Sequence, residues 1–194
     1  MRLTNSLFAA ILLAASTLSA SASPITYTDT FTGSGVLGGV SFTNQLVTLT
    51  GIGDTTGMTF SEDDYFNAIT ATIQIGSGSV DAFTDSMEVI DDQTASLAEF
   101  ADATTGGEIV SATSAPVFGT YELQDAVSGT GDSAFAPGLP FPTALGTLTL
   151  TSVSENGTFT ATLPPAVTPE PSTLMLLATG LLGAAGALRR RFAA

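Results

Sequence analysis

The sequence predicts a mainly β protein: an antiparallel β-sandwich or jelly-roll-like domain, flanked by an N-terminal signal peptide and a C-terminal transmembrane helix. Ile69, Ala71, Ile73 and Ile75 alternate with Ala68, Thr70, Thr72 and Gln74, the period-2 signature of a half-buried strand. Glycine clusters at Gly33-Ser34-Gly35, Gly38-Gly39, Gly51-Ile52-Gly53 and Gly76-Ser77-Gly78 break the chain at hairpin spacing. No long helical pattern alternates with the strands and no repeat of fixed period is visible, which argues against solenoids and propellers.

Residues 1–22 read as the signal peptide. Arg2 is the only charge in the first 28 residues, and Leu7 to Ala15 form an apolar run too short to span a bilayer. Ala20 and Ala22 supply the small side chains of a signal-peptidase site, with cleavage expected after Ala22. Residues 23–163 then form one domain of ordinary size. Val47 and Leu49 alternate with Thr48 and Thr50, predicting a strand; Val117, Tyr121 and Leu123 share one parity and predict another. Between Asp92 and Ala103 the spacing of Leu97, Phe100 and Ala101 fits a short helix that Thr94 could cap. Ala126 to Pro142, rich in Gly and Pro, is expected to be a long surface loop.

Asn156-Gly157 suits a two-residue type I′ turn, in which both central residues need φ > 0. That turn would pair Ser154 with Phe159, Ser152 with Ala161 and Leu150 with Leu163, leaving Thr151, Thr160 and Thr162 on the opposite, outward face. Phe31, Phe42, Phe60, Phe66, Phe83, Phe100, Phe118, Phe135, Phe141 and Phe159 are spread through the domain as core material. No cysteine is present, so this core works without disulfides.

Charge is distributed with unusual asymmetry. All four basic residues, Arg2, Arg189, Arg190 and Arg191, lie outside residues 23–163, and the chain has no His. The domain carries 17 of the 18 acidic residues, a formal side-chain charge of −17. Nothing in it can neutralise phosphates, which excludes nucleic-acid binding and direct attraction to anionic lipid. Only 11% of the chain is charged, which fits a neutral, Ser/Thr-rich secreted surface better than a densely acidic halophilic one.

The same inventory limits chemistry. Without His, Cys or Lys in the domain there is no Ser–His triad, thiol nucleophile, Schiff-base lysine or histidine metal site. A non-enzymatic protein is therefore expected. Carboxylate chemistry alone survives, such as a glycosidase using two of Asp63, Asp64, Asp91, Asp92 and Glu99. No Trp is available as a sugar platform, and only Tyr27, Tyr65 and Tyr121 remain from the Tyr/Trp set. No cofactor is required. Calcium is the metal that the clustered acids Glu62, Asp63, Asp64, Asp91 and Asp92 could take. Gly51-Ile52-Gly53-Asp54 and Gly129-Thr130-Gly131-Asp132 faintly resemble RTX calcium turns, but as single, separated copies. Solvated acidic loops are the plainer reading. The runs Thr147, Thr149, Thr151 and Thr158, Thr160, Thr162 look like the flat arrays of some ice-binding proteins.

The C-terminus is the most specific segment. Residues 164–171 form a Pro-rich linker, with Pro164, Pro165, Pro169 and Pro171. Residues 172–188 are uncharged and apolar; the run from Thr173 to Leu188 would span about 24 Å as a helix, short but workable for a bilayer. Residues 189–194 begin with Arg189, Arg190 and Arg191, a basic stop expected to stay cytoplasmic. Pro169, Glu170 and Pro171, followed by Ser172-Thr173, the Leu-rich run and the arginines, resemble the PEP-CTERM sorting tail of Gram-negative bacteria.

That resemblance implies a membrane-embedded cysteine transpeptidase, an exosortase, as processing partner beside signal peptidase. It implies transit through the inner membrane and delivery to the outer surface, often alongside exopolysaccharide and biofilm matrix. The two prolines bias the tripeptide to an extended conformation that a protease can engage without unwinding helix. The expected role is an envelope or matrix component. A calcium- or carbohydrate-binding adhesive module is the alternative, with ice binding or glycoside hydrolysis behind it.

Overall fold

The computed structural model describes residues 23–105 and 108–165, together with Gly180, Leu181, Ala184, Leu188, Arg189 and Phe192 of the tail, which are helical. The chain divides into two compact units, Met1–Pro164 and Pro165–Ala194. Twelve strands form the first unit among the described residues: β1 Pro24–Leu37, β2 Val40–Asp54, β3 Thr59–Ser61, β4 Asp64–Ile75, β5 Val80–Ala82, β6 Met87–Asp92, β7 Leu97–Asp102, β8 Glu108–Ser114, β9 Val127–Gly131, β10 Ser133–Ala134, β11 Pro140–Thr143 and β12 Gly146–Thr162.

They make one antiparallel sheet in the order β10–β8–β7–β6–β4–β2–β1–β12–β11, with β3 and β5 on β4 and β9 on β12. The two-sheet sandwich predicted from the sequence is thus corrected to a single sheet nearly closed into a barrel. Only Asp132 separates β9, which pairs β12, from β10, which pairs β8, so this segment stitches the far ends of the sheet together. The Ser114 N–H donates to the Asp132 carbonyl at 2.9 Å across the seam. A Cβ on Gly131 would stand 1.7 Å from the Ser114 carbonyl oxygen, so only glycine permits this approach. Alternation showed which face of each strand is buried. It is silent on whether the buried faces belong to two sheets or one.

What bends the sheet is bulging against β1. Opposite Ser34, β2 inserts one extra residue, since Gly33 pairs Gln45 while Gly35 pairs Phe42. On the other side Ser34 pairs Ser152 but Gly35 pairs Leu150, and Thr32 alone spans the gap between Val153 and Gly157. Bulges raise local twist and bend the strand that carries them. Gly33-Ser34-Gly35 therefore lies inside a continuous strand, facing bulges in β2 and β12, and is not the expected break, and Gly51-Ile52-Gly53 lies within β2. Gly38-Gly39, with φ of +56° and +82°, does form the β1–β2 turn.

The predicted Asn156-Gly157 hairpin does not form. β12 runs unbroken from Gly146 to Thr162 and pairs with β1 on both sides of the Asn156-Gly157 site. Neither Asn156 nor Gly157 adopts positive φ. Instead Ser154, Glu155 and Asn156 bulge out opposite Thr32, whose N–H donates to Ser154 Oγ at 3.1 Å, and Ser154 Oγ donates to the Asn156 carbonyl at 2.9 Å. The single insertion beside Thr151 shifts the core parity from Leu148 and Leu150 to Phe159 and Ala161, which made the alternation look interrupted.

Three further expectations are corrected. Asp92 to Ala103 is the β6–β7 hairpin, not a helix: Ala98 and Phe100 face the core while Ala101 is buried on the other side. A strand buried on both faces is hard to tell from a helix by spacing. Pro116–Thr120 is a 3₁₀ turn with Pro at its start, and Phe118, Tyr121 and Leu123 plug one end of the barrel instead of forming a strand. Ala126 to Pro142 contains β9, β10 and the start of β11 rather than a featureless loop.

The core holds Phe31, Phe100, Phe118, Phe141 and Phe159, with Phe118 and Phe159 edge-to-face at 5.5 Å. Phe60 departs from the predicted core and is exposed. The predicted alternations in β2 and β4 hold, with Val47, Leu49, Ala71 and Ile73 buried.

Candidate functional site

The plugged end of the barrel is polar. β1 brings Tyr27, β4 brings Tyr65 and Asn67, β6 brings Asp91, and the segment after the 3₁₀ turn brings Tyr121 and Leu123. Tyr27 donates its hydroxyl to the Leu123 carbonyl at 2.7 Å, and Asn67 Nδ2 donates to Tyr27 Oη at 2.7 Å. Tyr121 donates to the Asp125 carbonyl at 3.0 Å. Burial pushes the Tyr27 phenol up to about 12 and carries Tyr121 further above its usual range. Both are fixed neutral donors closing the barrel, which leaves them no free face for a sugar. Among the described residues, the aromatic pair nearest the surface is Phe60 and half-buried Tyr65, with ring centroids 4.7 Å apart and planes tilted by 46°.

Asp91 is the anomaly. It pairs with Tyr65 and Ala98 on the inner face, its side chain is fully buried, and neither carboxyl oxygen has a hydrogen-bond partner. Burial first, then the neighbouring Asp92, Asp64 and Glu99, push it up to about 8. A buried carboxylate without a partner is costly, and the group escapes that cost by keeping its proton.

Around it, the predicted calcium residues scatter. Glu62 and Asp63 form the β3–β4 turn with φ of +55° and +72°, both exposed. Asp64 lies directly opposite Asp92, and burial followed by Asp92, Asp63 and Glu62 raises its carboxyl. Glu99, opposite Ile90, is buried and pushed up to about 7 by burial, Asp92 and Asp64. Strand parity sets Asp91 on the inner face and Asp64, Asp92 and Glu99 on the outer one. Among the described residues no group of three acids could hold a metal ion. The two Gly-x-Gly-Asp stretches are also accounted for by packing, since a Cβ on Gly51 would meet Ile69 at 2.4 Å and one on Gly129 would meet Phe118 at 2.5 Å.

Asp29 is a functional-looking residue that composition did not single out. It occupies the inner position between Tyr27 and Phe31, and that parity was its signal. Ser111 Oγ and Thr113 Oγ1 from β8 donate to its two oxygens at 2.5 and 2.9 Å, tying β1 to the opposite wall of the barrel. Burial raises it to about 6 against the lowering effect of Ser111, Thr113 and the Thr30 N–H.

The threonine runs belong to one strand, so they do not face each other. Thr158, Thr160 and Thr162 do point outward, beside Thr30, Thr28 and Thr26 of β1 and, further on, Thr48 and Thr50 of β2. This surface is the convex side of a bent sheet, unlike the flat array ice binding requires. Ala20, Ala22, Pro169, Glu170, Pro171, Arg190 and Arg191 lie outside the described residues, as does most of the expected transmembrane helix; Arg189 is helical and exposed. Among the described residues no helix is long and apolar enough to cross a membrane.

Comparison with known families assigns the tail. The PEP-CTERM protein-sorting motif matches residues 167–191, covering the tail and none of the barrel. The motif implies an exported protein, sorted by exosortase to the cell envelope or beyond. No curated protein and no solved structure matches the chain.

Proposed function

We propose that this chain is a non-enzymatic extracellular protein, delivered through its PEP-CTERM tail, whose acidic barrel is a component of the envelope or of the exopolysaccharide and biofilm matrix of a Gram-negative bacterium. The observation that carries the reading is the sorting motif at residues 167–191, joined by a Pro-rich linker to a domain with no Lys, Arg, His or Cys. Such a domain has few means of catalysis. Of its candidate carboxylates, Asp91 keeps a proton inside the barrel while Asp92 and Glu99 lie on the other face of the sheet, so they do not oppose each other across a cleft.

A carbohydrate-binding adhesive module is the second reading, and Phe60 with Tyr65 favours it. An exposed ring supported by a second aromatic is an apolar platform for a sugar face, with Glu122, beside Tyr65, as a hydroxyl acceptor. Calcium gains less support, because among the described residues no three acids converge on one site.

The test is mass spectrometry of the protein from its host, compared with a Glu170→Ala variant and an exosortase-deficient strain. Trimming at Pro169–Pro171 in the wild type, lost in the deficient strain, with the protein recovered outside the inner membrane, is the expected result. An intact, membrane-bound C-terminus in all three samples would refute the sorting reading.

A further inference from the structure

At the end of the barrel opposite the Tyr27–Asp91 plug, the chain builds a concavity of about 330 Å³. Leu37, Val40, Phe42, Ile75 and Leu145 line it, with Gly38 in its wall. We propose that this end is a binding site for a small, uncharged, apolar ligand, with an alkyl chain or a single nonpolar ring as the recognised group.

The walls are set before any ligand arrives. A Cβ on Gly38 would stand 2.4 Å from the Leu145 carbonyl oxygen, so the β1–β2 turn sits directly on the β11–β12 turn, and the Gly38 N–H donates to the Thr147 carbonyl at 3.1 Å. Asp81 holds the other side. Its buried carboxylate accepts the N–H of Ala82 at 2.9 Å and that of Leu145 at 3.1 and 3.3 Å. The Gly76 N–H donates to the Leu46 carbonyl at 2.7 Å and fixes the β4–β5 turn. A pocket pre-formed by backbone hydrogen bonds loses little entropy on filling.

Charge selects the ligand class. Residues 30–53, 65–80 and 133–154 contain no acid, although the domain carries a formal −17. The exposed hairpin tips around the pocket thus carry no acid, the nearest being Asp81, which is buried behind the wall and bonded to backbone N–H groups, while the field of the whole domain opposes anions. Val40 is 72% exposed and Leu145 59%, so apolar surface stands in water where a ligand would cover it. The volume lies at the lower end of small-molecule sites, which fits a short chain or one ring better than a whole lipid. A second copy is a poorer occupant, because the concavity recedes between the hairpin tips and an identical end offers no protruding side chain of this chain's core to fill it; light scattering decides this.

The mature protein purified from its host would be titrated with N-phenyl-1-naphthylamine, a neutral fluorophore, and with its charged relative 1-anilinonaphthalene-8-sulfonate. Saturable one-site binding of the neutral dye is expected, with at least tenfold weaker binding of the sulfonate. Val40→Asp and Leu145→Asp should each weaken the neutral dye at least tenfold, and Ile52→Asp, an equally exposed change on the barrel wall, should not. Because all three positions are exposed, unchanged circular dichroism should accompany each variant. Absence of saturable binding, or equal loss in Ile52→Asp, overturns the proposal. So does a dimer seen by light scattering that Val40→Asp dissolves without any dye site in the monomer.

Discussion

Replacing Asp29 with Asn should make the protein more stable at neutral pH, and the size of the gain follows from the geometry. The folded Asp29 carboxyl titrates at about 6 against an unfolded value of 3.8. Between those values the folded state binds more protons than the unfolded one, so stability falls as pH rises. The contribution is fully present below about 3.8 and is lost as pH passes through about 6. A shift of about two units corresponds to roughly 3 kcal/mol, using about 1.4 kcal/mol per unit. Asn keeps a carbonyl acceptor for Thr113 and offers an N–H to the Ser111 hydroxyl, which can reverse its role.

Urea unfolding of wild type and Asp29→Asn, followed by circular dichroism from pH 4 to 8, isolates this group because every other acid is common to both. The two midpoints should coincide near pH 4 and separate by roughly 1–3 M at pH 8, for m-values of about 1–3 kcal/mol/M. Asp29→Ala is the contrasting control: it strands Ser111 and Thr113 without an acceptor and should destabilise by about 1–3 kcal/mol near pH 4, a deficit that shrinks as pH rises and the wild-type carboxyl ionises, leaving Ala below Asn at every pH. Parallel curves for wild type and Asp29→Asn across the range would show that β1 and β8 are not joined through a carboxyl that prefers its proton.

Other consequences can be checked in the same assay. Asp91→Asn should raise stability at pH 8 relative to wild type and leave it little changed near pH 4, and neither calcium nor a chelator should move the wild-type midpoint; a calcium-dependent rise abolished by Asp91→Asn would reinstate a metal. Asn156→Ala should cost no more than about 0.5 kcal/mol, because Asn156 is an exposed bulge residue without positive φ. A loss of 1 kcal/mol or more would argue for the turn. Gly131→Ala should destabilise by at least about 2 kcal/mol by forcing the β9–β8 seam apart, and an unchanged midpoint would mean that the barrel is not closed there.

How much of this was legible in the residues depended on whether the information is local. Val47 with Leu49, and Ala71 with Ile73, announce their strands because each residue's burial repeats with the pleat. Gly38-Gly39 announces its turn because two positive φ angles are a local demand. Asn156-Gly157 makes the same demand on paper, yet pairing with β1 on both sides of it outweighs the turn preference, and the bulge at Ser154, Glu155 and Asn156 absorbs it. Closure of the sheet was invisible for a similar reason: it depends on Gly131 meeting Ser114 and Asp132 bridging two strands, contacts that no spacing within one segment encodes. The sorting motif was legible because its recognition is linear. The end pocket was not, since it assembles three turns that are far apart in the chain.

The pH behaviour ties composition to fold more closely than any single motif. In ordinary domains buried carboxylates pair with Lys, Arg or His, which lowers their pKa and makes acid destabilising. Residues 23–163 contain no such partner. Any carboxyl that the fold draws inside can be relieved only by neutral donors, as Ser111 and Thr113 relieve Asp29, or by a proton, as with Asp91. Glu99, beside Asp92 and Asp64, is pushed the same way. The sign of the pH dependence is therefore set by the absence of bases, and three buried acids make it large: stability should fall steadily from pH 4 to 8. At the lower pH, protonation also reduces repulsion among the exposed acids, so surface and interior act in the same direction.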